Sequence, residues 1–408
     1  MEFKKVTLGE ISVNSRGYYG IGASAVDFDP NLPTYLRITD INDDGSINKD
    51  NLKSIKEEDY EKYILKENDI VFARTGNSTG RNYFYEKKDG LFVFAGFLIK
   101  FSLDKEKVFP KYIKYVCQSK EYWGWINSIA TGSTRKNINA KMYEKMPIFL
   151  PEEKTQEKIV TLLESLDSKI EINNKIISNL ESQAQAIFKS WFVDFEPFQD
   201  GDFVESELGM IPEGWEVKEL GELFKFVKGK KPKDLHEKYE DNFIPYIVKG
   251  VMDGSETPKF TNEINIVEIK KLDCFMLMDG ANSGNIYYGY DGALGSTFAL
   301  LESKNQVYRE LIYWKLKTNE SIIKNQNTGS AIPHANKDFI NKMNVAIPIN
   351  IEENEILKTL ENFRIKINLL NNQNTKLAEL RDALLPKLMA GEIDVSNIKI
   401  EGEEVKNE

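Results

Sequence analysis

The sequence predicts an α+β protein: two mixed α/β domains in a pseudo-twofold repeat, separated by two long helices that pair as an antiparallel coiled coil. Three observations carry that expectation. The second half of the chain retraces the first from Thr131 to Leu388 at a constant offset of 197 residues, so Thr131-Gly132-Ser133 returns as Thr328-Gly329-Ser330 and Leu163-Glu164 as Leu360-Glu361. Each copy ends in a proline-bearing stretch, Met146–Pro151 or Val345–Pro348, and then adopts an apolar period of seven. Ahead of each change of period lie short β-prone runs broken by Gly, Asn and Asp. Two long copies, rather than many short ones, argue against a solenoid.

Residues 1–150 read as the first mixed domain, with Tyr35–Ile38, Ile70–Ala73 and Leu91–Phe101 as strands. Pro110–Ser128 is expected as one helix, since Tyr112, Ile113, Val116 and Trp123 share a face. Residues 151–191 follow as the first spacer helix. Leu163, Ile170, Ile177, Ala184 and Trp191 recur on one track, and Ile159, Leu166, Leu180 and Ile187 on the other, interrupted by Asn173. A helix of that length with so narrow a stripe requires a partner helix in water. Residues 192–211 read as a linker, 212–349 as the second mixed domain, and 350–391 as the second spacer helix, which supplies the partner. Its tracks are Leu360, Ile367 and Leu388, and Ile356, Phe363, Leu370, Leu377 and Leu384. Residues 392–408 form an acidic tail expected to be flexible. At ~1.5 Å per residue each helix is about 55–60 Å long.

Each seam holds one asparagine, Asn173 and Asn374, at positions the repeat does not relate. An antiparallel register that sets them face to face also sets Leu163 on Leu384, Ile170 on Leu377 and Ala184 on Phe363. Leu166 opposite Arg381 is then the mismatch. Two amides that would each cost about 1–3 kcal/mol if buried unpaired satisfy one another there, so the pair selects the register. The alternative is that both lean out to solvent.

The net charge of −10 by itself argues against nucleic acid, but its distribution does not. Residues 71–145 carry fourteen Lys/Arg against six acids, a net +8, and this is the footprint of a phosphate-gripping face. No apolar run reaches 18 residues and no leader pattern is seen, so a soluble chain with no membrane span is expected, in the cytoplasm. Cys117 and Cys274 lie far apart and His236 and His334 add no metal-like spacing, so neither zinc nor a disulfide is expected. Enzymatic motifs are wanting too. The Asp-Pro at Asp29-Pro30 is followed by Asn31 and does not fit the Asp-Pro-Pro-aromatic grip of a base methyltransferase. Gly76–Arg81 fails the spacing of a phosphate-binding loop.

Several runs resemble the specificity (S) subunits of type I restriction–modification enzymes. They are Ala184-Gln185-Ala186-Ile187-Phe188-Lys189-Ser190-Trp191-Phe192-Val193-Asp194-Phe195-Glu196-Pro197-Phe198, Leu208-Gly209-Met210-Ile211-Pro212-Glu213-Gly214-Trp215-Glu216-Val217-Lys218, Asp69–Gly76 and Pro147–Gln156. The second copy departs from the pattern, with Glu353 where the first has Gln156. The resemblance implies a non-catalytic subunit whose two domains are target-recognition domains, each reading half of a bipartite site in double-stranded DNA. It implies two methyltransferase (M) subunits docked on the helices and restriction (R) subunits joined through the complex. S-adenosylmethionine, ATP and Mg would belong to those partners, with no cofactor on this chain. The alternative is a two-lobed coiled-coil protein–protein scaffold without DNA readout.

The repeat filters the DNA-binding candidates. Residues that recur suit shared roles: Gly76/Gly280, Gly80/Gly284 and Gly132/Gly329 as turns, and Asn77/Asn282, Ser78/Ser283, Thr131/Thr328 and Ser133/Ser330 as turn caps or phosphate contacts. Base readers belong where the copies differ. In the first domain these are Arg74, Arg81, Arg135, Lys136 and Asn137, and in the second Lys230, Lys231, Lys249, His334, Asn336 and Lys337. Arginine suits a bidentate grip on guanine and asparagine one on adenine.

Overall fold

In the alternating run that ends the first copy, Ile148 and Leu150 point inward while Phe149 stays exposed, and Pro147–Leu150 pairs antiparallel with Lys4–Thr7. The structure, a computed structural model, describes residues 2–57, 59–129, 137–329, 332–351 and 354–398. Its contacts divide the chain into two units: residues 1–170 with 376–408, and residues 171–375.

In the first unit a four-stranded sheet runs in the order Tyr18–Tyr19, Leu98–Ser102, Asp69–Ala73, Asn82–Phe84. All five residues of Asp69–Ala73 are buried: Ile70–Ala73 as an apolar run covered on both faces, and Asp69 because it pairs with Lys100. A second sheet runs Val26–Asp27, Lys53–Ser54, Thr34–Leu36, Phe92–Phe94, its last pair parallel. The core is aromatic: Phe72 stacks on Tyr143 at 4.7 Å, and Tyr112 and Tyr115 are fully buried.

The expected helix over Pro110–Ser128 is two helices, Pro110–Val116 and Lys120–Ile129, broken at Cys117–Ser119. Tyr122 and Ile126, rather than Trp123, fill the core from the second of them.

The second unit repeats the order of the first of these sheets, while its other sheet is ordered differently, with the parallel pair at the centre rather than at the edge. Trp215–Glu219 pairs with Asn344–Pro348. One sheet runs Phe224–Lys228, Phe298–Ser303, Phe275–Leu277, Ile286–Tyr287. The other runs Phe260–Thr261, Ile244–Ile247, Gly292–Leu294, Glu268–Ile269, again with one parallel pair. Residues 192–211, expected as a linker, fold onto this unit. Phe195 adopts a left-handed φ of 52° and packs edge-on against Trp215 at 5.4 Å, and Phe203–Ser206 forms a hairpin with Gly209–Pro212.

The long helices are Glu153–Phe192 and Glu355–Met389. Within the first unit, Ile159 and Leu163 share a core cluster with Leu385 and Leu388. Arg381 Nη1 donates to Asp167 at 3.1 Å, and Lys158 Nζ reaches the Ser396 carbonyl at 2.7 Å, so residue numbers fall on one helix as they rise beyond the other. The arginine opposite Leu166 is therefore met by the neighbouring Asp167. Residues 392–398, expected as part of a flexible tail, lie against this same core: Val395 is buried, and Ile393 and Ile398 pack beside it. Residues 399–408 lie outside the described residues.

Within the second unit, Asn173 is fully buried. Its Nδ2 donates to Asn374 Oδ1 at 2.8 Å and to Gln373 Oε1 at 2.9 Å, and Asn374 Nδ2 donates to Asn174 at 2.8 Å. The two asparagines are brought face to face but share one bond rather than two: Asn374 gives its own amide N–H to Asn174, and Asn173 Oδ1 is buried without a partner among the described residues. Arg364 is locked between helices: it forms a two-pronged ion pair with Glu310 (Nη2 at 2.8 Å), with its guanidinium 3.9 Å over Tyr288 and 4.0 Å over Tyr313. Burial opposes its charge, but the Glu310 carboxylate holds its pKa above the ordinary arginine value.

Candidate nucleic-acid interface

The turn after the innermost strand is built alike in both units. Gly76 and Gly80 have φ of 73° and 95°, and Gly280 and Gly284 of 104° and 96°. Gly80 N–H returns to the Ala73 carbonyl (3.0 Å) and Gly284 N–H to that of Leu277 (2.8 Å). A Cβ on Gly80 would stand 2.8 Å from Ile126 Cγ2, so packing and φ both require glycine there. Ser78 and Ser283, considered as caps or phosphate contacts, are turned inward, and Ser283 Oγ accepts from Asn327 Nδ2 at 2.8 Å. Asn77 and Asn282 remain exposed on these turns.

Beside each turn a returning segment adds to the strand edge, and here the copies differ. In the first unit Arg74 N–H donates to the Phe97 carbonyl (3.1 Å), Ile138 N–H donates to the Arg74 carbonyl (2.8 Å), and Thr75 bridges Asn137. The Arg74 guanidinium lies 5.0 Å over the Tyr19 ring, with its Nε buried and lacking a hydrogen-bond partner among the described residues. Next to it, Arg16 Nε donates to the Tyr18 hydroxyl at 2.9 Å, a bond that holds this phenol below its ordinary pKa. Arg74, Tyr19, exposed Phe97 and Asn137 therefore share one edge; the two aromatics are missed in the sequence because only charged and polar residue types are weighed there as readers.

The same backbone bonds in the second unit join Met278 to Thr297 and Ala335, and Asp279 bridges His334. Met278 thus stands where the first unit has Arg74, Asp279 where it has Thr75, and His334 where it has Asn137. By strand register Lys228 stands in the place of Tyr19.

The other candidates divide. Arg81 pairs with Asp43 (2.7 Å) and donates to the Ile41 carbonyl (3.1 Å). Asn336, expected as a base reader, caps the helix Lys337–Asn341, its Oδ1 accepting from Phe339 N–H at 3.0 Å. Lys230 reaches the Asn265 carbonyl (3.1 Å), Lys249 pairs with Asp253 (3.5 Å), and Lys337 lies 5.4 Å over Phe226. Lys231 and Thr328 are exposed. Thr131, Ser133, Arg135, Lys136 and Ser330, with Gly132, lie outside the described residues.

The +8 stretch is partly neutralised from outside itself. Lys100 pairs with Asp69 (3.0 Å), Lys111 with Glu164 and Lys114 with Asp167 (3.9 Å), in addition to Arg81 with Asp43. A count along the chain cannot see those partners. Among the described residues no cluster of three or more His, Cys, Asp or Glu is placed to hold a metal, and no helix is long and apolar enough to cross a membrane.

These two units match what is known elsewhere. A family model described as the type I restriction modification DNA specificity domain matches residues 2–182 and 212–379. The MjaVIII type I restriction enzyme specificity subunit of Methanocaldococcus jannaschii is 33% identical over 195 residues, 47% of this chain and 45% of that one. The MjaIX specificity subunit of the same organism is 28% identical over 319 residues, 72% of each chain. The HindI specificity subunit of Haemophilus influenzae is 22% identical over 484 residues, 96% of this chain and all of that one. In fold, the S subunit of a type I restriction-modification system from M. genitalium is similar with a TM-score of 0.62 at 17% identity, covering 95% of this chain and 96% of that one. The chain belongs to the type I restriction modification DNA specificity family, a family of specificity subunits and not of enzymes.

Proposed function

We propose that this chain reads a bipartite sequence in double-stranded DNA, with residues 1–150 and 212–349 as target-recognition domains in a pseudo-twofold repeat. The long helices act as an antiparallel coiled coil that sets the gap between half-sites. The observation that carries this reading is the shared frame with unlike chemistry: Arg74 and Asn137 on one edge, Met278 and His334 on the equivalent edge of the other unit. A scaffold without DNA readout has no use for that contrast. Two methyltransferase subunits dock on the chain and restriction subunits join through the complex, in the cytoplasm. S-adenosylmethionine, ATP and Mg are handled by those partners.

The test is DNA binding by the chain assembled with methyltransferase subunits, titrated with salt. Sequence-dependent affinity that falls with salt, by a log–log slope of about 0.9 per phosphate contacted, is expected. Affinity independent of sequence and salt would overturn the reading, as would methyl transfer by the purified chain alone.

A further inference from the structure

We infer that His334 is a base-contacting residue of the second domain and that Asp279 fixes it as a hydrogen-bond acceptor, so that it selects a base presenting an amino group in the major groove. The inference rests on the DNA-reading function proposed above. His334 Nδ1 lies 2.8 Å from Asp279 Oδ1, and both side chains are accessible, 51% and 33% exposed. With a carboxylate oxygen as its neighbour, Nδ1 is the nitrogen that carries the donor proton, and the Nδ1–H tautomer leaves the lone pair on Nε2. The ring is held as well as oriented. His334 exchanges both backbone bonds with Thr328 (2.9 and 2.7 Å), Gly280 N–H donates to the Pro333 carbonyl (3.0 Å), and a Cβ on Gly329 would come within 3.0 Å of His334 Cδ2.

Asp279 itself argues for this role. A carboxylate on an edge turned to DNA would be repelled by phosphates, and here one of its oxygens is occupied by the Nδ1–H of the neighbouring imidazole. The repeat supplies the contrast: the equivalent bridge in the first unit joins Thr75 to Asn137, an amide able both to donate and to accept. In the major groove adenine N6 and cytosine N4 offer donors to a lone pair, whereas guanine O6 and N7 and thymine O4 do not. The structure therefore assigns to His334 a preference for adenine or cytosine at one position of one half-site.

The experiment compares methylation of a randomised DNA library by the assembled complex containing the natural chain, His334→Ala, His334→Phe or Asp279→Asn. His334→Phe keeps a ring against Gly329 while removing Nε2, and thermal unfolding checks that each variant is folded. Both His334 variants should relax discrimination at one position by about ten-fold, with the other half-site and the salt slope unchanged. Asp279→Asn should relax the same position. Unaltered preferences in His334→Phe overturn the inference. So does a uniform loss at all sequences with a salt slope lower by about 0.9, the mark of a phosphate contact. If the natural complex itself shows no sequence preference, the DNA-reading function fails instead.

Discussion

Replacing Arg364 by alanine should strip the second unit of much of its stability. The arginine and Glu310 are each only 3% exposed, so truncation leaves a carboxylate buried among Tyr288, Tyr313 and Cys274 with no cation. Breaking one side of such a pair costs about 3–5 kcal/mol, and the lost contacts to two ring faces act in the same direction. For a cooperative unit of this size, with roughly 2–4 °C of Tm per kcal/mol, the fall is about 6–20 °C. Removing both charges together, as Arg364→Met with Glu310→Leu, should restore most of the loss, because neither partner is then left unpaired. Urea and thermal unfolding of the natural chain, Arg364→Met, Glu310→Leu and the double variant complete a double-mutant cycle, with a coupling of at least ~2 kcal/mol expected. A single variant that costs under about 1 kcal/mol, or a double variant that simply adds the two losses, would refute the reasoning.

Other outcomes follow from the same structure. Asn173→Leu should cost roughly 1–2 kcal/mol because Asn374 loses its donor, and Asn374→Leu in the same chain should recover it; additive losses in urea melts would contradict the pairing. Burial pushes the Cys274 thiol up to about 12 and the Cys117 thiol up as well, so both stay protonated at pH 7–9. Thiol reagents should label them in denaturant and hardly at all in the native chain; rapid native labelling would show the two cores open. Four residues added to both long helices lengthen each by ~6 Å, which should widen the tolerated gap between half-sites by about two base pairs at ~3.4 Å each. An unchanged optimum in a series of DNA spacers would mean the helices are not the ruler.

Much of the fold is legible in the sequence because periodicity is a local property. The sevens from Ile159 onward and the proline-bearing stretches mark the helices Glu153–Phe192 and Glu355–Met389, against expected bounds of 151–191 and 350–391. Tertiary contacts are less visible. Arg364 lies off the apolar tracks, where a charge usually faces water, and only the fold brings Glu310 and two tyrosines around it. Phe188 and Phe192 carry more of the buried surface than Trp191 because the end of the helix packs on a domain rather than on a helix alone. At the interface the repeat comparison separated shared turn glycines from variable positions. It could not foresee that Arg81 pairs with Asp43, which is distant in sequence, whereas Asn336 recurs at the same offset as Asn139 and both cap a helix, so the repeat itself marks it as a shared position.

The most direct measurement of the central claim is a genome-wide methylation map of cells that express this chain with methyltransferase partners, compared with cells expressing the partners alone. The account predicts methylation at one two-part sequence with a fixed gap, present only when this chain is present, with half-sites that change independently when either domain is exchanged. Methylation that is unchanged by the chain, or confined to one continuous sequence, would contradict it.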